Sequence, residues 1–193
     1  MHQSLEGSFL IAMPNMEDDR FERSVVYVCS HTEQGAMGLV LNQVASHMNV
    51  EELLLQLNIL DDESAIRLPD HLRTMSVFKG GPVEVERGFV LHSDDYVLDQ
   101  STLQISGGIC LTATLEILKA IASGEGPHRA LLALGYSGWA PGQLESEIQA
   151  NGWLTGPATS DLVFDASFEN KWRRALLSLG IDPAMLVGSA GHA

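Results

Sequence analysis

The residues best suited to chemistry in this chain lie in one run, Gly135-Tyr136-Ser137-Gly138-Trp139-Ala140-Pro141-Gly142-Gln143-Leu144-Glu145. A serine between glycines invites comparison with the nucleophile elbow of hydrolases, which has the pattern G-x-S-x-G at a strand-to-helix turn. The spacing here is off by one. Gly138 directly follows Ser137, and Trp139 stands where strand and helix need a small residue to cross. Ser137 therefore reads as a turn serine. What remains in the run is a set of groups that hold rather than react. Tyr136, Trp139, Gln143, Glu145 and the downstream Asn151 remain; the glycines around Tyr136 and Trp139 stand at an expected helix start, where free N–H groups can receive an anion or a carboxylate.

A second set lies upstream. Arg87 and His92 share an expected strand, and their odd separation puts them on opposite faces under regular alternation. His92 with a carboxylate such as Glu145 would give a hydrolase its acid and base. Alone it reads as a structural histidine, and His31 as a turn histidine. Arg20 and Arg23 flank Phe21 among Asp18, Asp19 and Glu22. Local ion pairing is the simpler account of them, and recognition of a carboxylate or phosphate by a guanidinium fork is the functional one.

Several classes of chemistry lack their residues. There is no H-x-x-x-H, H-E-x-x-H or C-x-x-C pattern, so no metal site is expected. Gly124-Glu125-Gly126-Pro127 is not a phosphate loop and Gly107-Gly108 is too short for a dinucleotide fingerprint, so no cofactor is expected. Lys and Arg number 11 against 25 Asp and Glu, a net charge of −14. That balance argues against direct nucleic-acid binding and against docking on anionic lipid. No apolar run approaches a membrane span, and Met1–Gly7 lacks the basic and apolar regions of a signal peptide, so a cytosolic protein is expected. Cys29 and Cys110 read as reduced, buried residues.

The elements that must position these groups follow from periodicity. Strands are expected at Phe9–Met13, Ser24–Cys29, Ala36–Asn42, Ser76–Lys79, Gly88–His92, Thr102–Ser106 and Ala130–Leu134, with a short edge strand at Leu162–Phe164. The unbroken apolar run of the second suits a strand covered on both faces. His31–Gly35 has hairpin length. Asn49 caps a helix to Leu57, with Glu52 in capping-box position. Thr112 is expected to cap a helix to Ala122 with a stripe of Leu115, Leu118 and Ala122, stopped by Gly124. Pro141 fits the first turn of a helix to Ala150. Ser167 caps a last helix with a stripe of Phe168, Trp172, Leu176 and Leu179. Residues 61–73 read as the longest irregular connection. Hairpin-linked strands come first and helices later, which gives α+β with a mixed or antiparallel sheet in a single domain spanning residues 1–193.

Taken together, Phe9–Pro14, Arg20-Phe21, Ser24–Tyr27, His31 with Gly35–Asn42, Gly80-Gly81-Pro82, Arg87–His92, the Gly135–Glu145 run, Asn151, Trp153-Leu154 and the closing Gly191-His192-Ala193 resemble the YqgE/AlgH family of bacterial proteins. The resemblance implies a bifurcated sheet, part of it closing into a small barrel, with helices around it. It implies alanine at the Ser137 position in related chains, which a nucleophile would not tolerate. It implies no activity. Some members carry the label of transcriptional regulator, yet this chain has no helix-turn-helix with a basic second helix.

The function expected from the residues is a binding or regulatory module. Its cleft would lie near Gly80-Gly81-Pro82 and Gly135–Trp139 and hold a small anionic ligand or a partner peptide. Arg87, His92, Tyr136, Trp139, Gln143 and Asn151 are its candidate binding residues. A hydrolase using His92 and Glu145 is one alternative, and an interaction subunit or homo-oligomer with aromatic anchors is another.

Overall fold

In the computed structural model residues 3–187 are described; His2 and the closing Gly191-His192-Ala193 lie outside the described residues. Strands β1 (Ser8–Ala12), β2 (Val25–Thr32) and β3 (Gly35–Val40) form an antiparallel meander. The β2–β3 connection is the two-residue turn Glu33-Gln34, tighter than expected, and His31 belongs to β2 itself. Val25, Tyr27 and Cys29 face one apolar cluster while Val26 and Val28 face another. All five are fully buried, which is the double cover that an unbroken apolar strand requires.

Strand β4 (Val44–Asn49) escaped the pattern because Ser46, His47 and Asn49 interrupt its apolar positions. It pairs with β5 (Ser76–Lys79). Helix α1 (Val50–Gln56) starts at the expected capping box, with Asn49 Oδ1 accepting from Glu52 N at 2.9 Å and Glu52 Oε2 from Asn49 N at 3.0 Å. Residues 61–73 hold two short helices, α2 (Asp62–Ile66) and α3 (Asp70–Arg73), where an irregular connection was expected. The Arg73 guanidinium ties them together by donating to the carbonyls of Ala65, Ile66 and Leu68.

Strands β6 (Val83–Ser93), β7 (Thr102–Ser106) and β8 (Ile109–Thr112) follow. Thr112 ends β8 and does not cap a helix; α4 (Leu115–Ser123) begins after Thr114 and stops at Gly124. Its buried stripe is Ile117, Leu118 and Ile121, while Leu115 is exposed. Strand β9 (Ala130–Trp139) is twice the expected length, and α5 (Gln143–Gln149) and β10 (Trp153–Pro157) come after it. The apolar triplet expected as an edge strand, Leu162–Phe164, instead belongs to α6 (Ser160–Val163) and its C-cap, because the Thr159 hydroxyl caps a helical turn there. Helices α7 (Lys171–Ser178) and α8 (Pro183–Val187) complete the described chain, with single 3-10 turns at Asp19–Phe21 and Phe168–Asn170. Lys171 is fully buried at the start of α7; its Nζ donates to the Val163 carbonyl at 2.8 Å, and burial pushes its ammonium down to about 8. No helix among the described residues is long and apolar enough to cross a membrane.

The strands join in the order β10-β1-β2-β3-β9-β6-β8-β7, with β5 lying parallel to β9 and linking β4. The sheet forks at β9. Residues 130–134 pair with β6 and β5, whereas Ser137, Gly138 and Trp139 pair with Gly38, Met37 and Ala36 of β3. Gly135 sits between the two halves at φ +75, a conformation open to glycine at little cost, and turns the strand from one partner to the other. The sheet curls into a half-barrel. Its inner face packs Phe9, Tyr27, Leu39, Leu91 and Leu111 against Val163, Ala175 and Leu176 of α6 and α7. The curl nearly closes where Gly7 meets Ser106: a Cβ on Gly7 would lie 2.2 Å from the Ser106 hydroxyl oxygen. This α+β architecture, with a bifurcated sheet partly closed into a barrel, is the one expected from the sequence.

Candidate functional site

Two glycine-bearing segments cross at the fork. A Cβ on Gly80 would lie 2.2 Å from the Gly135 carbonyl oxygen, and one on Gly81 would lie 2.2 Å from the Tyr136 carbonyl. The glycines of each segment therefore admit the backbone of the other. Ser137 is buried in β9 and donates from Oγ to the Gly80 carbonyl at 3.1 Å. It pins the crossing as a strand residue, and it is neither in a turn nor exposed to a substrate. The turn lies further on: Gly142 is the N-cap of α5, and Pro141 precedes it and stands outside the first helical turn.

Because the crossing is filled by backbone, open space lies to either side of it. On one side is a groove of about 720 Å³ at the mouth of the half-barrel. Ser30, Thr32 and Gln34 of the β2–β3 hairpin form one wall, and Ser101, Leu103 and Leu111 the other. Arg87, Tyr136 and Trp139 all border it. The structure thus brings together three of the six residues proposed from sequence. The guanidinium of Arg87 lies 5.1 Å from the centre of the Phe89 ring and makes a long contact, 3.4 Å, to Glu84. The side chain is 56% exposed, so the ring holds its position while most of its five N–H donors stay available. Tyr136 packs edge-on to Phe89 at 5.8 Å. Glu84, with φ +46 in the bulged start of β6, also lines the groove. No local pattern marked Glu84 or the hairpin residues, because β6 bends between Val83 and Gly88 and breaks the alternation there.

Trp139 contributes only its edge. Its indole is 6% exposed and packs with Phe21 and Trp153 at 6.3 and 6.1 Å. Glu147 Oε2 accepts from both indole N–H groups, Trp139 and Trp153, at 2.8 Å each. Gln143 donates to the other Glu147 oxygen at 3.1 Å and accepts from Ala140 N, which makes it part of this clamp. Asn151 stands at the C-terminal end of α5 with φ +59. Neither Gln143 nor Asn151 lines the groove. Glu147 was missed in the sequence; its signal is an acid three residues from buried Leu144, on the inward side of α5.

His92 is fully buried, three residues beyond Phe89 and so on the face of β6 away from the ring that Arg87 lies over. Its Nδ1 donates to the Ser93 carbonyl at 2.8 Å, leaving Nε2 to accept from the Thr112 hydroxyl, also at 2.8 Å. Thr112 in turn meets Thr102 Oγ1 at 2.8 Å. Glu145 is not its partner: Glu145 Oε1 lies 2.7 Å from His31 Nε2, and His31 Nδ1 accepts from Leu5 N at 3.0 Å. The pair expected for a hydrolase is therefore not assembled, and each histidine has both ring nitrogens engaged. Arg20 forks onto Asp18, Nε to Oδ1 at 2.9 Å and Nη2 to Oδ2 at 2.7 Å, which is the ion pairing expected of it. Among the described residues no three His, Cys, Asp or Glu side chains come together as metal ligands would.

Burial holds the His92 imidazole below its ordinary value. The unfolded chain then takes up that proton near pH 6.5 while the folded chain resists it. The unfolded state binds more protons, so this group makes stability fall as pH drops below about 6.5. In urea unfolding at pH 7.5 and 5.5, the wild-type chain should lose more stability on acidification than His92→Gln. Equal losses would show that His92 does not titrate on unfolding.

The fold and groove define a class: an α+β half-barrel with a forked sheet and an open cleft at its mouth. A family model described as AlgH-like matches residues 9–184. A UPF0301 protein of Methylobacterium sp. (strain 4-46) is 60% identical over 189 residues, covering 98% of this chain and 90% of that one. A UPF0301 protein of Beijerinckia indica is 59% identical over 98% of this chain and 92% of its own length. The solution structure of the AlgH protein from Pseudomonas aeruginosa superposes with a TM-score of 0.77 at 42% identity, covering all of both chains. A Corynebacterium diphtheriae protein shares the fold at TM-score 0.72 and 19% identity, over 99% of this chain and 94% of its own. The chain belongs to the AlgH-like family, the one its motifs resemble.

Proposed function

We propose that this chain is a cytosolic binding module whose groove receives a small anionic ligand or the carboxylate end of a peptide, with Arg87 as the charged anchor. One observation carries the reading: Arg87, Tyr136 and the edge of Trp139, three of the six candidate residues, border one open groove. Its size falls within the roughly 300–1,000 Å³ of small-molecule sites. A guanidinium steadied on an aromatic ring suits planar, bidentate recognition of carboxylate or phosphate. Glu84 beside it disfavours ligands with many negative charges. Ser30, Thr32, Ser101 and Tyr136 offer hydroxyls for a polar body, and Leu103 and Leu111 offer apolar contact. A regulatory role would then act through what fills the groove, since the net charge of −14 gives no support to direct DNA binding.

The test is an amide-resolved NMR titration with citrate, adenosine monophosphate and acetyl-dialanine bearing a free carboxylate. At least one probe should shift Thr32, Gly35, Tyr136 and Gly138 saturably. Arg87→Ala should weaken that probe by about tenfold or more, the loss of one charge-assisted hydrogen bond. It should leave the melting temperature nearly unchanged, because the exposed pair with Glu84 stabilises little. Binding that is indifferent to Arg87, or no shift in these amides with any probe, would count against the proposal.

A further inference from the structure

The outer face of the sheet is covered in two separate pieces. Trp139, Trp153, Leu144 and their neighbours cover the β1–β3 half. Leu53, Leu54, Ile117, Leu118 and Ile121 of α1 and α4 cover Val77, Val90 and Leu132 in the other half. The two covers diverge where the sheet forks, on the far side of the glycine crossing from the groove. Between them is an unfilled notch of about 510 Å³. Phe21 and Val40 border it from the first cover, Ala45 and Leu134 from the second, and Pro82 and Val85 from the start of β6. Val85 is 59% exposed here, an apolar side chain left in water at the edge of an apolar hollow. Isolated exposed hydrophobics need no explanation, but this one borders a concave, largely apolar surface, the form that small-molecule sites take.

The charge at this notch is opposite to that of the whole chain. Arg20 and Lys79 border it and, among the described residues, no acidic residue does, although acids outnumber bases 25 to 11. The guanidinium of Arg20 is held by both Asp18 oxygens. Lys79 is exposed and has no ion-pair partner among the described residues. Its backbone is fixed, with N donating to the Gln43 carbonyl at 2.7 Å, so the ammonium is tethered at the notch by a rigid strand. The amide of Gln43 donates to the Arg20 carbonyl and the Ser24 hydroxyl and closes one side.

We infer that this notch binds an amphipathic anion: an aliphatic chain lies between the two covers, and its carboxylate meets the Lys79 ammonium. The walls supply apolar area to remove from water, and the single unpaired cation fixes the polarity of the chain. Aliphatic carboxylates of medium length combine both features. The inference does not depend on what occupies the groove at the barrel mouth.

Decanoate, kept below its micelle concentration, tests it on the full chain with methyl-resolved NMR. It should shift the methyls of Val40, Ala45, Val85 and Leu134 saturably, with a stoichiometry of one. Acetate should shift none of them, and decyltrimethylammonium should bind at least about tenfold more weakly because its head repels Lys79. Lys79→Glu, at an exposed position that leaves the fold intact, should weaken decanoate by about tenfold or more. Arg87→Ala should leave decanoate binding unchanged, which separates this site from the groove. The inference is overturned if decanoate leaves these methyls unmoved, if the cationic analogue binds equally well, or if Lys79→Glu has no effect. It is also overturned if a peptide with an apolar C-terminal residue saturates the notch while decanoate does not, which would assign the surface to a protein partner.

Discussion

Gly81→Ala should destabilise the chain by about 3–5 kcal/mol, measured by urea unfolding. A Cβ there would lie 2.2 Å from both the carbonyl carbon and the oxygen of Tyr136 and 2.4 Å from Ser137 N. These are backbone atoms, so no rotamer change relieves the overlap. The segment Gly135–Ser137 is held on both sides, by Val83 opposite Tyr136 and by Gly38 opposite Ser137. Relief therefore requires the two halves of the sheet to part at the fork. That movement would also break the Ser137 bond to the Gly80 carbonyl. Gly88 provides the control. It lies in β6, opposite Leu134 of β9, and a Cβ there would meet nothing within 4 Å. Gly88→Ala should change stability by no more than about 0.5 kcal/mol. If the two variants unfold at the same urea concentration, the crossing does not bear on stability as described.

Glu147→Ala is the second large effect, expected at about 2–4 kcal/mol in the same measurement. The substitution leaves two indole N–H donors without their acceptor. Trp139 and Trp153 are 6% and 2% exposed, so water cannot readily replace the carboxylate. Each orphaned buried donor costs roughly 1–3 kcal/mol. Phe21 packs on both rings, so loosening either indole also loosens the contact of the 3-10 turn at Asp19–Phe21 with the sheet. Glu147→Gln keeps one oxygen for the indoles but turns its amide towards the Gln143 amide, which now donates to Glu147. It should cost less than alanine and more than nothing. Tryptophan fluorescence provides a second readout, because the alanine variant should shift emission to longer wavelength in the native state. An alanine variant as stable as the wild type would mean that the two indoles find another acceptor.

Neither the backbone crossing at Gly81 nor the two indoles on Glu147 has a signature local in sequence. The apolar runs at Val25–Cys29 and Ala130–Leu134 determine strands buried on both faces, because a side chain alternating every residue needs cover on each side. The capping box at Asn49 and Glu52 determines where α1 begins, since all its hydrogen bonds are local. Parity alone gives opposite faces for Arg87 and His92; Arg87 lies within the irregular stretch before Gly88, and its contact with the Phe89 ring is what keeps it on that side. The hairpin-first order determines an α+β class, and the long ordered motifs determine the family.

What only the tertiary structure decided involves partners distant in sequence. Gly135 to Trp139 continue as a strand because Gly38, Met37 and Ala36 of β3 offer a ladder there, and no local signal announces a partner a hundred residues away. Leu162–Phe164 has the composition of a strand, but the Thr159 cap and the burial of Leu162 and Val163 in the inner core decide for a helical turn. Glu145 reaches His31, not His92, because α5 packs over the β2–β3 hairpin. The glycines were visible as motifs from the start, but the motif alone cannot say what a missing Cβ makes room for. Here it makes room for another stretch of the same backbone, and open space lies to either side of that crossing.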